Sequence, residues 1–270
     1  VTTTSDRPVT ATERSRWRAV ALPSEHGGWG LTLEPVLLGL LLAPSGAGAA
    51  LGAAAFLAFL VRTPTQLVAV DLRRRRWLPR TRTAALVAIP ELALLGALVA
   101  LVARWSSGPW WVPLVAAAPL VLVEGWYEVR SRGRRLVPEL CGAVGVASAA
   151  AAIVLAGDGD GRLAVGAWSI LAARTLGAIP FVRSQIVRAR RHVVELRGSD
   201  TAQLLAVGVA GAAVVVELSM APGAIGVALL SFAQFRWARR DPPPIKVLGM
   251  RQMALGLALV AVTAVGAALT

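Results

Sequence analysis

The sequence predicts an all-α polytopic membrane protein, a bundle of about nine transmembrane helices. Three observations carry the prediction. Hydrophobic residues make up 56% of the 270 positions and mean hydropathy is +0.64, where soluble domains are roughly 45–50% apolar. The apolar residues are gathered into long runs with few charges, and a span needs about 20 mostly apolar residues to cross the hydrocarbon core. The arginines are concentrated in every second connection between those runs. Within hydrocarbon the backbone must bond to itself, so helices or closed barrels are the options. The Ala/Leu/Val runs lack period-2 alternation, which argues against a barrel.

Nine apolar segments can be read in order: residues 29–43, 46–61, 83–103, 110–126, 137–156, 163–182, 202–220, 224–235 and 247–269. The first two and the eighth are short, the eighth being the weakest, and short spans are accommodated by tilt or local bilayer thinning. The sixth is interrupted by Arg174. Residues 1–22 form a polar cytoplasmic tail and residues 23–270 a single transmembrane domain. The tail carries four arginines and no apolar core, so no cleavable signal peptide is expected.

The connections alternate. Residues 62–82 hold seven arginines, 127–136 four, 183–201 five, and 236–246 four cations, while the intervening short connections hold only Arg104 and Arg162. This positive-inside pattern puts the N-terminus in the cytoplasm and, with nine spans, the C-terminus outside. The expected location is a bacterial plasma membrane. A net charge of +13 would suggest nucleic acid on a soluble protein. Here the apolar runs are too long for a soluble core, so no nucleic-acid partner is expected. The basic loops orient the spans, and they could also meet anionic lipid head groups. One cysteine, Cys141, allows neither an intramolecular disulfide nor a cysteine zinc site. The oligomeric state is not legible.

Ionisable residues inside spans are costly and mark cavities or partners. Glu25-His26-Gly27-Gly28-Trp29-Gly30 opens the first span, with Glu34 one to two turns deeper. His26 and Glu34 are the candidate proton-handling groups, since an imidazole titrates near neutrality and a buried carboxylate needs a cation or a proton. The competing reading is an interfacial cap with Ser24 as N-cap. Arg62, Gln66 and Asp71, around Pro64, are candidates to line a pocket mouth. Arg174 lies about half-way along its span, with Arg183, Gln185 and Arg188 beyond it. It predicts a cavity that holds an anion or, on the structural reading, an ion pair with Glu34, Glu91 or Glu217. Glu124 and Tyr127 meet the arginines 130–135 at one end of the fourth span, either as a substrate-orienting network or as surface salt bridges.

The stretch Pro23-Ser24-Glu25-His26-Gly27-Gly28-Trp29-Gly30 resembles the YwiC-like family of bacterial integral membrane proteins. Arg62-Thr63-Pro64 and Arg174…Pro180-Phe181…Arg183 extend that resemblance over nearly the whole chain. The family implies no settled reaction. The layout resembles, more weakly, the UbiA superfamily of intramembrane prenyltransferases, whose nine helices carry polar catalytic segments after helix 2 and in and after helix 6. Those motifs are aspartate-rich and bind magnesium diphosphate. Here Arg62, Arg174 and Arg183 stand in the conspicuous polar segments and Asp71 is alone, so no catalytic aspartate carries over, and no metal or cofactor is expected. Arginine binds phosphate directly through its planar fork. The expectation is an amphipathic anion, an isoprenoid diphosphate or lipid, held by Arg62, Arg174 and Arg183 with no metal. A transporter of a small anion or lipid, and a membrane scaffold, are the other readings.

Overall fold

The computed structural model of the chain describes residues 26–270, apart from 131, 134 and 193 and the side chains of His26 and Gly27. Nine α-helices run through the described residues, one for each predicted segment: α1 His26–Leu42, α2 Gly46–Arg73, α3 Pro79–Trp105, α4 Trp111–Val129, α5 Leu136–Ala156, α6 Gly161–Arg191, α7 Arg197–Val216, α8 Ala221–Ala238 and α9 Ile245–Leu269. Eight are long and apolar enough to cross a membrane, and α1 is the shorter apolar one. At 17 residues it reaches about 25 Å, short of the roughly 30 Å hydrocarbon thickness. The eighth segment, the weakest in the sequence, gains length from a 3₁₀ turn at Leu218–Met220 that leads directly into α8.

Two helices outrun their apolar segments. The sequence places loops at 62–82 and 183–201, yet α2 continues to Arg73 and α6 to Arg191. Hydropathy marks where lipid ends, whereas a helix continues while its backbone bonds are favourable and its charges face water. Arg62, Gln66 and Asp71 therefore stand on α2, and Arg183, Gln185 and Arg188 on α6, with a fixed helical phase. Arg188, Arg190 and Arg191 occupy the last turn of α6, where cations favour the carbonyl end of the helix. His192 closes it in the left-handed region at φ 56°. At the other end of α6 the Asp160 side chain caps the backbone N–H of Arg162 at 3.0 Å.

The centre of the bundle is α5 and α6. Two thirds of the apolar stretch of each is buried, against about a tenth for α3 and α4. Helix α5 touches α1, α2, α4 and α6, and α6 touches α7 and α8 on its far side. Alanine is the enabling residue. Ala149, Ala150, Ala151 and Ala152 on α5 are buried, and small side chains let membrane helices approach closely. Ile153 fills the hollow this creates, fully buried against Gly39 of α1 and Gly48 of α2. Helix α9 closes the bundle by packing on α1 and α8.

Candidate functional site

Successive helices alternate in direction, so the arginine-rich connections gather at one end of the bundle. Charged pairs tie the helices together there. Arg62 of α2 is paired with two carboxylates of α4, with Glu124 at 2.7 Å and with Glu128. These acids are four residues apart, one above the other on the helix face. The Glu124 carboxylate lies against Gly142 of α5, where a Cβ would overlap it. Arg183 of α6 donates to Glu139 of α5 at 2.7 Å. Asp71, 1% exposed, accepts from Arg80 at 2.8 and 3.2 Å and from the Thr81 hydroxyl at 2.7 Å. These bonds lock the α2–α3 hairpin. Replacing Asp71 with asparagine removes the charge on which Arg80 closes, and a lower melting temperature in detergent is the expected outcome. Gln66 and Tyr127 are half-buried nearby on α2 and α4, and the Tyr127 carbonyl accepts from the Arg132 backbone at 2.8 Å.

A second polar set lies inside the bundle. Arg174 of α6 is 6% exposed, and its Nη2 donates to the main-chain carbonyl of Gln252 on α9 at 2.7 Å. From Gln252 a chain of amides crosses the neighbouring helices. Gln234 of α8 donates to the Gln252 side chain at 3.3 Å, and Gln203 of α7 donates to Gln234 at 3.1 Å and to the Gly177 carbonyl of α6 at 2.9 Å. The path leaves α6 at Arg174 and returns one turn later, linking four helices. It is not saturated: Arg174 Nε, Gln252 Nε2 and Gln203 Oε1 are buried without a hydrogen-bond partner among the described residues. Unmet polar groups at such a depth are costly.

Glu34 of α1 completes this interior. It is 4% exposed, and its carboxylate lies against Gly256 of α9, where any Cβ would overlap it. It is close enough to Arg174 for coulombic attraction, but the two form no ion pair within 4 Å among the described residues. The structural reading of Arg174 is corrected to this extent. Its bonded partner is a main-chain carbonyl, while Glu217 accepts from the Ser219 hydroxyl at 2.9 Å and Glu91 keeps a buried oxygen unpartnered on α3.

The sequence-derived site residues thus fall into separate groups. Arg62 and Glu124 meet directly, with Gln66 and Tyr127 on the same two helices. Arg183 joins the same end of the bundle through α5. Asp71 turns toward α3. Gln185 is buried on the α8–α9 side with both amide atoms unpartnered. Arg174 and Glu34 lie within coulombic range of each other in the interior. The His26 side chain, with Glu25 and Ser24, lies outside the described residues. Sequence reasoning missed Gln203, Gln234 and Gln252. Their signal was available as single uncharged amides within apolar runs, but a search for ionisable groups passes over them.

Nine packed helices with an ionic end and a polar interior define a multi-pass helical membrane protein. The family model described as YwiC-like protein matches residues 22–154, and over that stretch the chain is similar to the YwiC-like family. The match spans α1 to the last residues of α5, so it takes in Glu34, Arg62, Asp71 and Glu124 and stops before Arg174. No curated protein and no solved structure matches the chain.

Proposed function

We propose that this YwiC-like membrane protein binds an amphipathic anion, an isoprenoid diphosphate or a lipid, with Arg174 as the anchoring cation inside the bundle. One observation carries the reading: a guanidinium buried between α6 and α9 is bonded to a single carbonyl and keeps Nε unpartnered. An arginine at the centre of a span costs about 2.5–3.5 kcal/mol on insertion scales. A purely structural arginine would recover this by closing on Glu34. Left open, its fork suits a phosphate. Glu34, and His26 at the start of α1, supply the proton-handling groups. At the basic end an incoming anion competes with Glu124, Glu128 and Glu139 for Arg62 and Arg183, with Gln66 and Tyr127 half-buried on the same two helices as Arg62 and Glu124.

The weak resemblance of the sequence to the UbiA superfamily supports one reaction class, transfer or cyclisation of an isoprenoid chain with arginine in place of metal. Transport of the anion is the second reading. It is favoured by the separation of Glu34 and Arg174, since buried charges that do not close on each other suit a pathway. Labelled farnesyl diphosphate distinguishes the two. Saturable binding in detergent is expected on both. A prenylated or cyclised product then marks an enzyme, and uptake of unchanged label into proteoliposomes marks a transporter. Absence of saturable binding would contradict both. In the membrane we propose a cytoplasmic N-terminus and an outer C-terminus, so alkaline phosphatase fused after Thr270 should be active and the same fusion after Arg191 inactive.

A further inference from the structure

A cavity of about 180 Å³ opens at the basic end, between the last turns of α6, the end of α8 and the start of α9. Its floor is Gln185, 1% exposed, with Oε1 and Nε2 both lacking a hydrogen-bond partner among the described residues. Phe181 and Leu248 supply apolar walls, and Arg240, Arg251 and Trp237 stand around it. The Arg251 guanidinium lies over the Trp237 ring, 3.1 Å from its centroid. Arg240 and Arg251 are near enough to repel one another. The one acid on the rim, Asp241, is engaged by Arg188 at 3.2 Å. Arg188 also donates to the carbonyls of Ala238 and Arg240, at 3.1 and 2.8 Å, and so holds the α8–α9 connection in place.

The chemistry of this lining is selective. Two guanidinium groups with no acidic partner among the described residues call for an anion, and arginine favours phosphate. A buried amide with both ends free offers an NH2 donor and a carbonyl acceptor, which suits a ligand carrying an acceptor oxygen and a hydroxyl. The volume is below the roughly 300–1,000 Å³ of sites that enclose drug-sized ligands, which fits a head group and leaves no room for a chain. We propose that this cavity binds a phosphate with a neighbouring hydroxyl, as in a glycerophosphate head group. The phosphate sits on Arg240 and Arg251 and the hydroxyl and one phosphate oxygen on the Gln185 amide. Gln185 is about 16 Å along α6 from Arg174, and the site does not rest on the reading of that residue. The group comes either on a membrane lipid or as free glycerol phosphate.

Native mass spectrometry of detergent-purified full-length protein tests this, using phosphatidylglycerol against phosphatidylcholine. Wild type should retain phosphatidylglycerol preferentially. Gln185→Leu and Arg251→Gln should each weaken that retention about tenfold, the scale of one hydrogen bond to a charged group, and Gly96→Val on α3, where a Cβ meets nothing within 4 Å, should leave it unchanged. Gln185→Leu should at the same time melt no lower than wild type, because it removes an unpartnered amide. A residue with a packing role alone would lose stability instead. Free glycerol phosphate that raises the melting temperature of wild type, but not of Gln185→Leu, would assign the soluble form of the ligand. Equal retention of the two lipids by wild type, or unchanged retention in both Gln185→Leu and Arg251→Gln, would overturn the proposal.

Discussion

Replacing Arg174 with methionine should abolish measurable binding of farnesyl diphosphate while leaving a folded, monodisperse protein. Truncating one partner of a buried charged contact costs about 2–5 kcal/mol of binding, or roughly 30-fold and more. The protein itself loses little. One hydrogen bond to the Gln252 carbonyl disappears, and so do an unpartnered Nε and the expense of a charge in hydrocarbon. Methionine replaces the aliphatic stem of the side chain with an unbranched, adaptable apolar one that fills part of the gap. Arg174→Lys should bind weakly, since an ammonium keeps the charge and loses the planar fork. The expected signature is a melting temperature at or above wild type with binding absent. A drop in stability with binding preserved would return Arg174 to a structural role. Isothermal titration and thermal unfolding on the same preparations separate the two outcomes.

A substitution at Gly39 should have the largest effect on stability. Its missing Cβ faces Ile153 at 2.7 Å and the Ala150 carbonyl at 2.9 Å. Ile153 is fully buried and the carbonyl belongs to the α5 backbone, so neither can step aside cheaply. Gly39→Val would force α1 from α5 at a cost of about 3 kcal/mol, the upper range for overpacking. Glu34 stands five residues earlier on α1, so the displaced helix would also carry its carboxylate away from Gly256. Thermal unfolding should show a lowered midpoint, and farnesyl diphosphate binding should weaken with it. Gly96→Val is the control: a Cβ there meets nothing within 4 Å, and the variant should melt like wild type. Equal midpoints for the two variants would contradict the packing described for α1.

Much of the architecture is legible in the sequence because a bilayer imposes a simple rule on it. Each of the nine charge-poor runs has its helix. The rule reads lipid and not backbone, so it misjudges where α2 and α6 end. That error matters for the site, because it treats Arg62, Asp71, Arg183 and Gln185 as loop residues when they stand on helices with fixed directions. The pairing of Arg62 with Glu124 was within reach, since both residues were conspicuous at the same end of the bundle. The unclosed charges of Arg174 and Glu34 were not. Sequence counts charges, but it does not show that a carbonyl of α9 takes the guanidinium while the carboxylate rests beside Gly256. The amide chain through Gln203, Gln234 and Gln252 was missed for a different reason. A neutral amide barely lowers the hydropathy of a span, yet once buried it must find hydrogen bonds.

The central claim is that an amphipathic anion is held inside the bundle at Arg174. Photo-crosslinking with a diazirine-bearing farnesyl diphosphate analogue tests it most directly. Peptide mapping should place the label on α6 and α9, near Arg174 and Gln252, and an excess of unlabelled farnesyl diphosphate should compete it away. Labelling spread over the lipid-facing surfaces of α3 and α4, with no competition, would contradict the account.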